Sequence, residues 1–305
     1  MGKTMLVTGG AGFIGSHLVE RLHALGHRVR VLDNLSQGRS EWIHPSAEFL
    51  EGDITDLSLC RRACEGVAGV FHLAAMSKVA PSIDKFEFCT EQNIIGTQNL
   101  LIAARDRKVR KLVYSGSSTY YGNGAPPQSE NSLPDCLNPY AVSKYVGEQF
   151  CEIFTRLYRF PTVTLRYFNV YGPRQPAVGA YALVLGIFLD QRRRGEPLTI
   201  HGEGSQRRDF IHVSDVVEAN LAAYGSDVEG TVMNVGSGTN TSIKEIANLI
   251  SPHQVHLPRR TGDAEVTLAD ISRIKQLLGW NPKTSFAEGL KPLLEASEAP
   301  PVLKG

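Results

Sequence analysis

Met5-Leu6-Val7-Thr8-Gly9-Gly10-Ala11-Gly12-Phe13-Ile14-Gly15 is the stretch that decides the fold of this chain. A short apolar run leads into glycines spaced Gly9-x-x-Gly12-x-x-Gly15. Residues 12–25 then place Ile14, Leu18, Leu22 and Leu25 at helical spacing, which predicts one apolar helix face. Each glycine has its own physical reason. Gly9 permits a sharp turn, and Gly12 lets the backbone approach a pyrophosphate where a Cβ would collide. Gly15 lets the helix pack close to the sheet. Free N–H groups at the helix start, with the positive end of its dipole, then hold the phosphates. By itself such a pattern describes a flexible turn. The strand before it and the helix after it make it a dinucleotide loop.

The same alternation continues outward. Residues 29–32, 70–73, 111–114 and 163–165 read as further short strands, separated by segments of helical period. Alternating strands and helices predict an α/β fold with a parallel sheet covered on both faces. Asp33-Asn34 follows the second strand. A carboxylate there accepts hydrogen bonds from the adenosine ribose and repels a 2′-phosphate, so the cofactor expected is NAD rather than NADP. Asp53-Ile54 is placed to flank the adenine, and Leu73-Ala74-Ala75 at the end of the fourth strand suits close cofactor approach. His72 beside them reads as a packed strand-end histidine. Together these features define a Rossmann-type doubly wound sheet over residues 1–171. Beyond 171, Pro and Gly become frequent and the alternation weakens. This predicts a smaller mixed α/β substrate domain over 172–305. A segment near 205–236, with a strand at 231–235, is expected to return to the main sheet, so the two domains interleave.

Tyr140 and Lys144 lie four apart, on one face of a predicted helix. A phenol titrates near pH 10, so a base near pH 7 requires a shift of about 3 units, roughly 4 kcal/mol. A neighbouring ammonium and a positive nicotinamide both favour the phenolate. A surface aromatic and a lysine would explain the pair equally well without a third element. That element is the hydroxyl-rich run Ser115-Gly116-Ser117-Ser118-Thr119 at the end of the fifth strand, which faces the ligand crevice of such a sheet.

Composition narrows the partners. The 305 residues carry a formal net charge of +1, with 42% hydrophobic and 21% charged residues, so no nucleic-acid or membrane partner is expected. The run Arg192-Arg193-Arg194 reads as a solvated helix end. Cys60, Cys64, Cys89, Cys136 and Cys151 are odd in number and match no zinc spacing, so no metal is expected. With no signal peptide and no apolar stretch near 20 residues, we expect a soluble, cytoplasmic protein.

The chain resembles the extended short-chain dehydrogenase/reductase family, specifically its NAD-dependent nucleotide-sugar epimerases. The motifs run through residues 8–15, 33–34, 53–54, 72–75, Asn93, the serine cluster, Tyr140 with Lys144, and 166–173. They continue through 202–204, 208–213 and 234–236. The resemblance implies Ser117, Tyr140 and Lys144 as catalytic residues. It implies Gly9, Gly12, Phe13, Ile14, Gly15, Asp33, Asn34, Asp53, Ile54, Leu73, Ala74, Ala75, Asn93 and Tyr167 as the cofactor's neighbours, with Tyr140 and Lys144. It implies Ser117, Asn169, Tyr181, Arg208, Arg260 and Thr267 on the substrate side, the two arginines pairing with a diphosphate.

The reaction implied is 4-epimerisation of a UDP-sugar through a 4-keto stage. Related 4,6-dehydratases carry Asp-Glu directly after the catalytic hydroxyl residue, where this chain has Ser118 and Thr119. A decarboxylase, a 4-keto reductase and a non-enzymatic NAD-binding regulator are the other readings. Residues 174–181 resemble the substrate loop of epimerases acting on UDP-N-acetylhexosamines, but depart from it after Gln175 and again over 185–188. Residues 263–270 resemble a late segment in which Thr267 is the size gate, its small side chain leaving room for an N-acetyl group. UDP-glucose and UDP-galactose are the expected substrates, with their N-acetyl forms admitted. Helices near 88–104 (Ile94, Leu100, Leu101) and 140–158 (Phe150, Ile153, Phe154, Leu157) carry broad apolar faces, explained in part by core burial, and the resemblance implies a homodimer joined through such a helix pair.

Overall fold

The computed structural model describes residues 2–177, 183–258 and 265–298. The first half runs β1 (Thr4–Thr8), α1 (Phe13–Ala24), β2 (Arg28–Asp33), β3 (Glu48–Glu51), α2 (Leu57–Ala63), β4 (Gly69–His72), α3 (Val79–Asp84) and α4 (Phe86–Thr90). A π-helical turn (Glu91–Ile95) joins α4 to α5 (Gly96–Asp106), and β5 (Lys111–Ser117), α6 (Pro139–Tyr158) and β6 (Thr162–Tyr167) follow. The second half holds β7 (Asn169–Tyr171), α7 (Val184–Arg193), β8 (Leu198–His201), β9 (Arg207–Arg208), β10 (Phe210–His212) and α8 (Val213–Gly225). It ends with β11 (Thr231–Val235), β12 (Thr241–Ser242), α9 (Ile243–Ile250), β13 (Gln254–Leu257), α10 (Ser272–Leu278) and α11 (Phe286–Glu298).

The main sheet has seven strands in the order β11-β6-β5-β4-β1-β2-β3, every pairing parallel. The order reverses at β1, which lies between β2 and β4. The crevice beyond the carboxyl ends of the strands at such a switch point is where ligands bind. Alternation along β1 sorts its side chains: Met5 and Val7 join the core cluster containing Leu18 and Val217, and Leu6 joins the opposite one containing Leu100 and Leu112. Late in the chain β11 joins this sheet, pairing with β6 from Thr231 against Val163 to Val235 against Tyr167. The second region has its own core, built from Leu185, Phe188, Leu198, Ile200, Phe210 and Ile246 among others.

One local expectation needs correction. Leu25 is 48% exposed, because α1 ends at Ala24 and the chain turns away. Gly15 and Val19, beside Leu18 and Leu22, form the inward face instead. The helix near 88–104 runs through as expected, and its turn at Glu91–Ile95 is π-helical, which adds a residue to that turn. Among the described residues no helix is long and apolar enough to cross a membrane, and no group of His, Cys, Asp or Glu could hold a metal ion.

A buried ion pair ties α6 to the sheet. Arg166 of β6 donates from Nε and Nη2 to Glu148 of α6 at 2.9 and 2.6 Å. Its Nη1 reaches the Tyr121 hydroxyl at 2.8 Å, and its guanidinium lies 3.7 Å from the Tyr120 ring centroid. Both charges are almost fully buried, so removing one strands the other. Glu148→Ala should destabilise the protein by about 3–5 kcal/mol in urea unfolding, while the double change Glu148→Leu with Arg166→Met should recover most of that loss.

Candidate functional site

The glycine turn is crowded where its function requires it. A Cβ on Gly15 would lie 2.1 Å from the Gly9 carbonyl oxygen, and one on Gly9 (φ +72°) would lie 2.7 Å from the Ala74 nitrogen. At Gly12 the only close atom is the Gly9 oxygen at 3.2 Å, so the space above it is open. Gly12 is the N-cap of α1 and supplies no side-chain cap to the first amides. An open cradle with uncapped amides at a helix start suits a pyrophosphate. Phe13 and Ile14, the next two residues, are half-buried.

The adenosine side is equally ordered. Asp33 accepts hydrogen bonds from the Ala11 and Leu35 amides at 3.0 and 2.9 Å, tying the end of β2 to the glycine turn. Burial pushes its carboxyl above the usual range, against those two bonds. Asn34 donates to Asp53 at 2.8 Å. Burial raises Asp53, but hydrogen bonds from Thr55, Asn34 and Gln92 outweigh it and hold the carboxyl low. Gln92 carried no motif signal and is a residue that sequence reasoning missed. Ile54 is buried beneath Asp53, with α5 pressed so close at Gly96 that a Cβ there would meet it at 2.5 Å.

Leu73, Ala74 and Ala75 leave β4 half-buried beside the turn. Below them runs a chain of hydrogen bonds whose direction can be worked out. Thr97 gives its hydroxyl hydrogen to the Asn93 carbonyl at 2.6 Å, so it accepts from His72 Nε2 at 2.9 Å. His72 Nδ1 is then bare and accepts from the Thr8 hydroxyl at 2.8 Å. Thr8 in turn receives the Ala74 amide at 3.3 Å. Burial, with the charge of Lys144, lowers His72 to about 3, so it is a neutral structural link and not a proton donor.

Asn93 sits in the π turn and acts as a brace. Its Oδ1 accepts the Met76 amide at 2.7 Å, while Nδ2 donates to the Met76 carbonyl and the Ser143 hydroxyl, each at 2.9 Å. It thereby joins the loop after β4 to the helix carrying Tyr140 and Lys144. Tyr167, expected beside the cofactor, has its hydroxyl engaged in the core by Ser115 at 3.0 Å and Asn220 at 2.9 Å.

Tyr140 opens α6, where Asn138 caps the helix by accepting the Ala141 amide at 2.9 Å. The Tyr140 amide is held by Ser82 of α3 at 3.1 Å. Burial raises the Tyr140 phenol, opposed by a hydrogen-bonding contribution from Ser117. The protein alone therefore keeps this tyrosine protonated. The sequence-based argument asked for a downward shift, and the polypeptide supplies only the Ser117 part of it. Ser117 ends β5, and its hydroxyl pairs with that of Thr119 at 2.9 Å. Lys144 is buried one turn along the helix, with Nζ 4.4 Å from the centroid of the Tyr114 ring, and desolvation lowers it to about 8. Gly147 makes this packing possible, since a Cβ there would lie 2.2 Å from the Tyr114 hydroxyl.

On the far side of the crevice, residues distant in sequence meet. Asn169 donates to the Asp209 carbonyl at 3.0 Å and to the Thr267 hydroxyl at 3.3 Å. The Asp209 amide also reaches the Thr267 hydroxyl, and the Thr267 amide bonds the Arg207 carbonyl. Arg208 lies next in β9. Its Nη1 donates to the Arg207 and Glu265 carbonyls at 3.0 and 3.4 Å, so Asn169 and Thr267 form one group with Arg208 beside it in the chain. Two residues that sequence reasoning left without a role hold it there. Asp209 receives the Ser237, Gly238 and Ala269 amides, and Gln128 exchanges backbone and side-chain bonds with Leu268 and Val266. Tyr181 and Arg260 lie outside the described residues.

This geometry belongs to a known class. The profile of the NAD dependent epimerase/dehydratase family matches residues 5–236, and the chain belongs to that family. It is 40% identical over 304 residues to a UDP-glucose 4-epimerase of Mycolicibacterium smegmatis, covering 95% of this chain and 97% of that protein. Its fold is similar to that of the UDP-glucose 4-epimerase of Thermotoga maritima, solved with UDP-glucose. The TM-score is 0.92 at 39% identity, over 96% of this chain and 97% of the other. The UDP-glucose 4-epimerase of Thermus thermophilus, solved with NAD, is similar with a TM-score of 0.90 at 34% identity, covering 97% and 99% of the two chains. The cofactor of this chain is NAD, and its turn at Gly9–Gly15 with Asp33 fits it.

Asp33→Ala tests the cofactor pocket. It removes the carboxylate expected to accept the ribose hydroxyls and leaves the Ala11 and Leu35 amides without that partner. NAD affinity should fall by about 10-fold or more in calorimetric titration, with the far-ultraviolet circular dichroism unchanged.

Proposed function

We propose that this protein is a UDP-sugar 4-epimerase, passing its substrate through a 4-keto stage and acting on UDP-glucose and UDP-galactose. The observation that carries the reading is the triad at the crevice edge, with Ser117 and Tyr140 converging and Lys144 one turn below. No acid or base stands at the two positions after Ser117. Bound NAD supplies a hydride acceptor that is regenerated in each cycle. The chain's own residues do the rest. Ser117 orients the sugar 4-hydroxyl, and Tyr140 takes up its proton and later returns it. Lys144 would hold the nicotinamide ribose and favour the phenolate once the pocket is filled. Asn169 and Arg208 would hold the sugar diphosphate, with Tyr181 and Arg260 completing that side, and Thr267 would face the substituent on carbon 2. A 4,6-dehydratase needs a further acid and base beside the catalytic hydroxyl. Here Ser118 and Thr119 provide only hydroxyls, and that of Thr119 is tied to Ser117.

The domain reading is retained as part of this proposal: an NAD-binding part over 1–171 completed by the return segment, and a nucleotide-sugar part over 172–305. We assign the protein to the cytoplasm, in keeping with five free cysteines. We also assign it a homodimer through the helix pair, where exposed Ile83, Phe86, Ile95, Val142 and Leu157 offer apolar surface. Sedimentation at micromolar concentration should give twice the 33.4 kDa of the chain.

Incubation with a panel of UDP- and dTDP-sugars should yield 4-epimers. A 4-keto-6-deoxy or unsaturated product would overturn the reading. Tyr140→Phe should lower turnover by about 10²–10⁴-fold while leaving NAD binding intact. Thr267→Tyr should abolish turnover of N-acetylated sugars alone, and equal loss on both sugar types would remove Thr267 from the gate.

A further inference from the structure

The first amides of a helix have no partner within it. Of the first three residues of α6, Pro139 has no N–H, and the Ala141 amide is accepted by the Asn138 side chain at 2.9 Å. That leaves Tyr140, the proposed base. Its amide is accepted at 3.1 Å by the hydroxyl of Ser82, 58 residues earlier in the chain. Ser82 is fully buried, and it gives its single hydroxyl hydrogen to the Val79 carbonyl at 2.6 Å. Toward Tyr140 it can therefore only accept. Val79 and Ile83 are exposed whereas Pro81 and Ser82 are buried, so α3 turns the Pro81-Ser82 face inward against the start of α6.

The other end of the Tyr140 residue is held from the same region. Ser143 donates its hydroxyl hydrogen to the Tyr140 carbonyl at 2.8 Å and so accepts from Asn93 Nδ2 at 2.9 Å. Asn93 in turn holds the amide and carbonyl of Met76, just ahead of α3. One stretch of chain, from Met76 to Asn93, thus fixes the backbone of Tyr140 on both sides. The Ser117 hydroxyl meets the phenol from a different element, the end of β5. How the phenol sits against Ser117 depends on where α3 seats the first turn of α6.

We propose that Ser82 is a positioning residue for the reaction: by accepting the Tyr140 amide, it sets the distance from the phenol to Ser117 and to the reacting carbon. This rests on the reading of Tyr140 as the base. Reaction rates are sensitive to such placement, since a shift of about 1 Å can cost about 10²-fold.

The test is steady-state epimerisation of UDP-glucose by the NAD-loaded protein across pH, with calorimetric NAD binding and urea unfolding alongside. Ser82→Ala should lower kcat by about 10-fold, with KM and NAD affinity within about two-fold. The pH profile carries a second signature. Burial raises the Tyr140 phenol, the Ser117 hydroxyl lowers it and Cys89 of α4 raises it again, while the Lys144 ammonium stands one turn along α6. A weaker bond from Ser117 lifts the phenol further, so the acid limb of the kcat profile should move to higher pH. Ser82→Thr keeps the hydroxyl and should restore both rate and limb. A kcat within two-fold of the wild type in Ser82→Ala would overturn the proposal. So would a loss by the same factor at every pH with a lowered urea midpoint, which marks a folding defect alone. Tyr140→Phe separates the two readings. If it is inactive and Ser82→Ala is unimpaired, only the role of Ser82 fails. If it turns over like the wild type, the base assignment fails and the role of Ser82 with it.

Discussion

The structure depends on a steric constraint at the turn between β1 and α1. Three backbone segments converge there: the turn itself, the start of the helix and the chain leaving β4. The Gly9 oxygen lies where a Gly15 side chain would be, and the Ala74 amide lies where a Gly9 side chain would be. With no Cβ at either place, α1 can start directly against the sheet. Its uncapped amides then face the switch point of the strand order, and the cofactor crevice follows from that placement.

From this turn two braces extend to the reacting residues. One is the directed chain from Ala74 through Thr8, His72 and Thr97 to the Asn93 carbonyl. The other is the Asn93 side chain, which spans from Met76 to Ser143 of α6. Every donor and acceptor in these links has a partner, which makes their burial tolerable and fixes α6 relative to β1. The neutral state of His72 belongs to this logic. A charged imidazole between two threonines and near Lys144 would cost far more than the burial allows.

Tyr140, the proposed base, is held in a state that the polypeptide alone does not activate. Burial raises its phenol and Ser117 opposes this only in part. Lys144 is buried over the face of Tyr114. On the proposed reaction, the positive nicotinamide would add to the charge of Lys144 in favouring the phenolate, so proton transfer would follow cofactor binding.

The sequence alone determined the parallel α/β fold and the cofactor, and it marked Ser117, Tyr140 and Lys144 as the candidate trio. Those features are written in short-range patterns, namely glycine spacing, apolar periodicity and the four-residue interval from Tyr140 to Lys144. It misplaced Leu25, because helix ends depend on where the chain turns. It also missed the π turn at Glu91–Ile95, which periodicity does not reveal. Only the tertiary structure decided what meets across long separations. Asn169 and Thr267 share a hydrogen bond across 98 residues of chain, Gln128 clamps the segment that carries Thr267, and Gln92 completes the partners of Asp53. Such contacts depend on how folding brings distant segments together, which no short-range pattern records.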